Sequence, residues 1–187
     1  MKTSQNKKYL KRIKSIQYGL HTDSAINEEK LSYLYNAIDK SDDQDVIIAA
    51  LLVITETEID VITDFLNKFS LFSEQVRLLA IPMLACTDYV ECYDFLFEYL
   101  QKFPKSNEAI VIVYTLSTTH YYGILPMILA RLITDDDAFL AHLKNILFKM
   151  GLKKLSPFLT MLPQIPHEAV FRELFGDEKI DHIKSLR

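Results

Sequence analysis

Glycine is scarce in this chain, four residues in 187, alongside six prolines and no tryptophan. Strand-rich and α/β folds use glycine for tight turns and phosphate loops, so the shortage points to helices joined by short polar turns. Cysteine is nearly as sparse, with Cys86 and Cys92 alone. Two cysteines make no disulfide framework; both are expected as small core residues, with a bridge across a helix–helix turn as the alternative. Long apolar runs are missing as well. The longest, Val46 to Ile54, has nine residues, against about 20 for a membrane-spanning helix. The basic start Lys7-Lys8-Tyr9-Leu10-Lys11-Arg12-Ile13-Lys14 lacks the apolar block of about 7–15 residues that a secretory signal carries, so a cytoplasmic location is expected.

Motifs of catalysis are missing too. There is no glycine-rich phosphate loop and no Gly-x-Ser-x-Gly elbow. His167-Glu168 opens like a zinc-protease motif, but the residue four positions after the histidine is Phe171. None of His21, His120, His142, His167 and His182 stands at ligand spacing from a cysteine or another histidine. Carboxylates are plentiful, in Asp42-Asp43-Gln44-Asp45, in Glu56, Glu58, Asp60 and Asp64, and in Asp135-Asp136-Asp137. These fall at expected turns and helix starts, where the helix dipole stabilises negative charge, and capping is their expected work. No catalytic residue, cofactor or metal is expected.

What is present is a globular balance, 49% hydrophobic and 25% charged, in a chain long enough to bury roughly two-thirds of its unfolded surface in one domain. The net charge of −4 is unevenly spread. Residues 1–20 carry six basic and no acidic side chains, 21–70 carry three and 11, 71–140 carry four and nine, and 141–187 carry eight and five. An acidic body therefore follows a basic segment and precedes a mildly basic end.

Internal repetition is the strongest pattern. Pro126 precedes Pro157 by 31 residues, and each proline is followed 12 positions later by an alanine, Ala138 and Ala169. Similar apolar anchors at Ala109, Val76 and Val46 give intervals of 29 to 33 residues and five helix–turn–helix units. Leu31, Leu34, Tyr35 and Ile38 mark the first helix, and Asp42 or Asp43 opens its partner near Asp45. Ile59, Ile62, Phe65, Leu66 and Phe69 mark the next, with Ser73 capping Glu74 to Cys86. A third pair runs from Asp88 to Phe103 and, capped by Ser106, from Asn107 to Ser117. The fourth spans Ile124 to Thr134 and Asp137 to Met150; the fifth spans Lys154 to Leu162 and His167 to Phe175. Gly19, Gly151 and Gly176 stand where helices should end, and Gly123 where one should begin. Pro82 should kink its helix, and Val46 to Ile54, apolar all round, should be covered on most sides. Residues 5–18 read as a basic capping helix or a loose arm, and Lys179 to Arg187 as a closing helix.

The run Phe65-Leu66-Asn67-Lys68-Phe69, followed by Ser73-Glu74-Gln75-Val76-Arg77-Leu78-Leu79-Ala80, resembles the HEAT repeat, in which a second helix opens with Val-Arg. The arginine occurs in this unit alone; Ile47, Ile110, Phe139 and Val170 hold the corresponding positions. Armadillo-like and irregular α-α stacks share the same outline. The resemblance covers residues 24–175 and implies an all-α fold, an α-α superhelix or HEAT-like solenoid of about five helical hairpins, with a basic segment 1–20 ahead of a repeat domain 21–187.

Families of this build act as scaffolds, adaptors, inhibitors or transport receptors, so the resemblance implies a non-catalytic protein-binding module; a small acidic one would also suit an immunity protein occluding a toxin. The acidic body favours a partner with a basic surface and disfavours phosphate backbones. Tyr89, Tyr93, Phe97 and Leu100 share one helix face and are expected in the core. Tyr114, Tyr121, Tyr122, Arg77 and Arg131 are the expected contact residues, since Tyr and Arg dominate interface energetics, with Asp42, Asp43 and Asp45 steering approach. Two alternatives stand beside this reading. Some DNA glycosylases resemble HEAT stacks, but a basic concave face is wanted there. A HEAT-like enzyme such as a bilin lyase would also share the fold, without a motif in this sequence.

Overall fold

The computed structural model describes residues 2–20, 26–87, 89–121 and 123–186. Among them are twelve α-helices, one 3-10 turn and no strand. The helices are α1 (Lys2–Leu20), α2 (Glu28–Lys40), α3 (Gln44–Thr55), α4 (Ile59–Lys68), α5 (Glu74–Leu84) and α6 (Val90–Lys102). They continue as α7 (Asn107–Thr118), α8 (Ile124–Arg131), α9 (Asp137–Met150), α10 (Leu152–Met161), α11 (Glu168–Phe175) and α12 (Asp177–Ser185). The chain divides into two compact units, Met1–Phe95 and Leu96–Arg187, and the division falls within α6.

Capping residues set the helix starts. Asp43, Ser73, Ser106 and Asp136 each leave the helical backbone and accept a hydrogen bond from the first turn of α3, α5, α7 and α9. Each such cap is worth about 1 kcal/mol. The third helical residue after each cap, Val46, Val76, Ala109 and Phe139, is buried. This register corrects the alanine alignment: Phe139 takes the buried place of Ala109, while Ala138 is half-buried and Ala169 exposed. In α11 the corresponding cap position is His167, which makes no capping bond and adopts the left-handed backbone at φ 53°.

Other boundaries shift by a few residues. Helix α5 stops at Leu84, placing Pro82 in its last turn and on the exposed side. Pro126 lies at the third position of α8, where the missing N–H costs no intrahelical bond. Gly151 and Gly176 end α9 and α11 at φ 75° and 88°, conformations only glycine takes without strain. Gly19, by contrast, lies inside α1 without a positive φ. Asp88, the expected start of the third pair, lies outside the described residues, and α6 begins at Val90.

In the first unit α3 is the hub. It packs against α1, α2, α4 and α5 and buries Val46, Ile47, Ala50, Leu51, Val53 and Ile54. Covering on several sides explains why its sequence is apolar all round. Helix α1 buries Tyr9, Ile13 and Ile16, three and four residues apart, which makes it a packed helix rather than a loose arm. Its ends fix its direction. Asn6 donates to Asp43 at the start of α3 over 2.9 Å, and Gln17 donates to Glu56 at the end of α3 over 3.1 Å. Helix α1 therefore runs parallel to α3. An aromatic series completes this core: Tyr35 and Phe72 stack on Phe65, Phe69 meets Phe65 edge-on, and Phe95 meets Phe69 edge-on.

In the second unit α9 takes the central place. It packs against α7, α10 and α11, while α12 closes against α10 and α11. Phe97 and Leu100 of α6 are buried here, and Tyr93 is buried in the first unit, where its hydroxyl donates to the Ala85 carbonyl over 2.7 Å. Their shared helix face is the core face the spacing predicts, but Tyr89, expected on the same face, precedes α6 and is half-buried. The cysteines part company: Cys92 is buried, but Cys86 is exposed, and both are free thiols. Cys86 follows the end of α5 in a turn whose flanking Ala85 and Thr87 are buried while Cys86 itself is exposed.

Candidate interaction surfaces

The three steering aspartates lie together at the turn between α2 and α3, but in different environments. Asp43 is half-buried and committed: Oδ1 accepts from the Asp45 N–H over 3.0 Å and Oδ2 accepts from Asn6 over 2.9 Å. Asp42 and Asp45 are exposed. At the other end of α3, Glu56, Glu58 and Asp60 are exposed as well. Each end of the hub helix thus shows carboxylates to water.

A second polar cluster in the first unit is Tyr35, Asp64 and Lys68. The Tyr35 hydroxyl and the Lys68 ammonium each donate to Asp64 Oδ2 over 2.7 Å, and Lys68 lies 4.7 Å from the centre of the Tyr35 ring. The hydrogen bond from Lys68 holds the Asp64 carboxyl below its ordinary range, against burial and with help from Tyr35. Burial, and then the bond to Asp64, drive the Tyr35 phenol well above its ordinary value. The cluster locks α2 to α4. Arg77, on α5, is half-buried and donates to the Phe72 carbonyl. That bond ties the opening of α5 to the turn before it.

In the second unit, the expected contact residues fall on different helices. Tyr114 is 63% exposed on α7, and Ile110, one turn earlier, is 70% exposed. Positions 110 and 114 share one face, opposite Ala109, Ile112, Val113 and Leu116 in the core. Phe148, on the adjoining α9, is 60% exposed and stacks on Phe175 of α11. Tyr121 is half-buried in the loop before α8, with its N–H on the Thr119 hydroxyl. Arg131 is half-buried, donates to the Met127 carbonyl over 3.1 Å and covers the Phe97 ring at 4.8 Å. Tyr122 lies outside the described residues.

Sequence reasoning missed Ile110 and Phe148. Within α7 the run Ala109 to Tyr114 is apolar at every position, which hides the face left to water; the cap at Ser106 supplies the signal, because it fixes the phase that buries Ala109 and turns Ile110 outward. The polar network of α11 and α12 is structural. Arg172 joins Glu168, Asp177 and Asp181 at 2.6 to 2.9 Å, and Lys184 reaches Glu168 at 3.1 Å. Hydrogen bonds from Arg172 hold the Glu168 and Asp181 carboxyls below their usual range.

Among the described residues no group of three or more His, Cys, Asp or Glu side chains is placed to hold a metal ion, and no helix is long and apolar enough to cross a membrane. No protein-family model matches the chain, and no curated protein or solved structure matches it.

Proposed function

We propose that this protein is a non-catalytic binding module of the HEAT-like α-α kind, an adaptor, scaffold or occluding inhibitor that engages a basic surface of another protein. One observation carries the reading: the second unit shows water an apolar row, Ile110 and Tyr114, on α7, with Phe148 on the helix packed beside it. Large apolar side chains grouped on one face mark a surface that becomes covered, and tyrosine combines contact area with a hydroxyl at little entropic cost. Charge supplies the partner's sign. Residues 1–95 carry ten basic and 15 acidic side chains, and the exposed Asp42, Asp45 and Glu56 lie at the ends of α3, with Glu58 and Asp60 at the start of α4. Such a field accelerates encounter with a positive surface.

The test is capture from native cell extract with the protein immobilised, followed by kinetics on the captured partner. We expect a partner with a net positive surface. An I110A/Y114A variant should weaken retention about tenfold or more, the loss of one hot-spot contact. A D42N/D45N variant should slow association at low salt and much less at high salt. Unchanged retention and rates in both variants would overturn the reading, as would micromolar binding of duplex DNA in physiological salt.

A further inference from the structure

Where α1 begins, it meets the end of α2 and the turn into α3, and a cleft of about 580 Å³ lies between them. Gln5, Asn6 and Tyr9 of α1 stand at i, i+1 and i+4, on one side of the helix. Asn36, Asp39 and Lys40 of α2 line the other side, and Ser41 follows in the turn. Two of the lining residues are buried and carry hydroxyls. Tyr9 is 5% exposed and Ser41 9%, yet among the described residues the Tyr9 hydroxyl has no hydrogen-bond partner, and Ser41 Oγ only accepts, from the Asp43 N–H over 3.2 Å. No side-chain oxygen or nitrogen shut off from solvent lacks a partner among the described residues, so the Tyr9 hydroxyl reaches open space, and the cleft is the space that Tyr9 lines. A buried tyrosine hydroxyl ordinarily finds a protein partner; this one is a fixed donor and acceptor left open at the cleft.

We propose that this cleft binds a small uncharged carbohydrate, a free mono- or disaccharide. Charge favours a neutral ligand, because Asp39 and Lys40 offset each other and Asp42 at the rim already has an interaction of its own. The polar groups suit hydroxyls. Tyr9 and Ser41 each have a proton to donate, Gln5 and Asn36 carry amides that donate and accept, and Asn6, whose nitrogen is committed to Asp43 over 2.9 Å, keeps its carbonyl oxygen. A sugar hydroxyl donates and accepts through one atom, so a ring of hydroxyls pairs with a mixed lining without demanding a fixed order. Other ligand classes fit less well. An apolar molecule would take the amides out of water unpaired. A peptide main chain seeks a strand edge, and the described residues form no strand. A phosphorylated ligand would meet Asp39 with Lys40 as the one cation in the lining. The volume falls within the roughly 300–1,000 Å³ usual for small-ligand sites. The cleft shares no residue with the apolar row on α7 and α9, so it stands independently of the partner proposed for that row.

Amide NMR of the full chain titrated with glucose, galactose, mannose, N-acetylglucosamine and maltose tests the assignment. At least one sugar should saturate a single site, with shifts confined to residues near Tyr9 and near Asn36 to Ser41. Y9F, which deletes only the hydroxyl, and N36A, at an exposed position, should each weaken that sugar about fivefold, the worth of one net hydrogen bond. N145A, at an exposed amide on α9, should bind as the parent does. A thermal melt matching the parent's will show that Y9F is folded; should it melt early, N36A decides alone. No saturation by any of these sugars up to about 50 mM, where a site of millimolar dissociation constant would be nearly full, overturns the proposal. Unchanged affinity in Y9F and N36A overturns it as well, and so does equal weakening in N145A. Tighter binding of N-acetyl-arginine amide than of every sugar, lost in the same variants, overturns it in favour of a basic side chain from a protein partner.

Discussion

The two units solve the same packing problem with different hubs. In residues 1–95 the hub is α3, with helices on four fronts and Asp45 as its only charged side chain. In residues 96–187 it is α9, an amphipathic helix whose Phe139, Leu143, Ile146 and Leu147 are buried while Lys149 and Phe148 face water. Polar chemistry is distributed accordingly. The first unit joins its helices through half-buried pairs such as Tyr35–Asp64 and Asn6–Asp43, whereas the second concentrates charge in the exposed network around Arg172. A hub covered on many sides leaves its carboxylates only at the helix ends; a hub covered on fewer sides leaves an apolar face open. Acid at the ends of α3 and bare aromatic surface on α7 and α9 are two outcomes of one rule, that each helix buries only as much as its neighbours cover.

The largest effect that would break this comparison is expected in the aromatic series of the first unit. Phe65 is fully buried and touches Tyr35, Phe69 and Phe72. F65A should cost about 3–5 kcal/mol, read by urea denaturation. Hydrogen exchange should then rise in α2 to α5 before α9 to α12; equal loss of protection across both sets would show that the units do not unfold separately.

A smaller effect sharpens the shared cap register. S73A in the first unit and S106A in the second should each cost about 1 kcal/mol, because each removes the acceptor for an N–H of the first turn. E58A should change stability little, since Glu58 precedes α4 without a side-chain cap bond. A cost for E58A matching the serine variants would mean that the caps do not hold the register.

The smallest effect is a pH dependence that separates the units. Asp64 has a lowered carboxyl pKa, so its contribution is present above about pH 4 and is lost as pH falls through the lowered value. Tyr35 has a raised pKa, so its contribution is full below about pH 10 and is lost as pH rises beyond that. Thermal melts across pH should therefore show an alkaline loss that Y35F reduces and an acid loss that D64N reduces. In the second unit, the acid loss should follow Glu168 and Asp181, whose values are also lowered. An alkaline limb unchanged in Y35F would assign it elsewhere.

Much of the fold is legible in short-range chemistry. Ser73, Ser106, Gly151 and Gly176 mark helix boundaries because caps and left-handed termini act within a few residues. Long-range terms are less readable. Spacing makes α1 a helix, but only the distant partners Asp43 and Glu56 decide that it lies along α3. Cys86 reads as a small core residue until α5 ends before it. The contact residues follow the same division. Exposure of Tyr114 follows from the phase of α7, whereas the half-burial of Arg77 and Arg131 depends on the Phe72 carbonyl and on the Phe97 ring, neither of which helical spacing locates.

The two amides that seat α1 have one more consequence. Asn6 and Gln17 are uncharged donors, so dissolved ions compete with them far less than with the lysines and the arginine between them. Concentrated brine would mask the outward positive face of that helix and leave the helix docked. Ionic strength thus becomes a dial on surface charge that barely touches architecture.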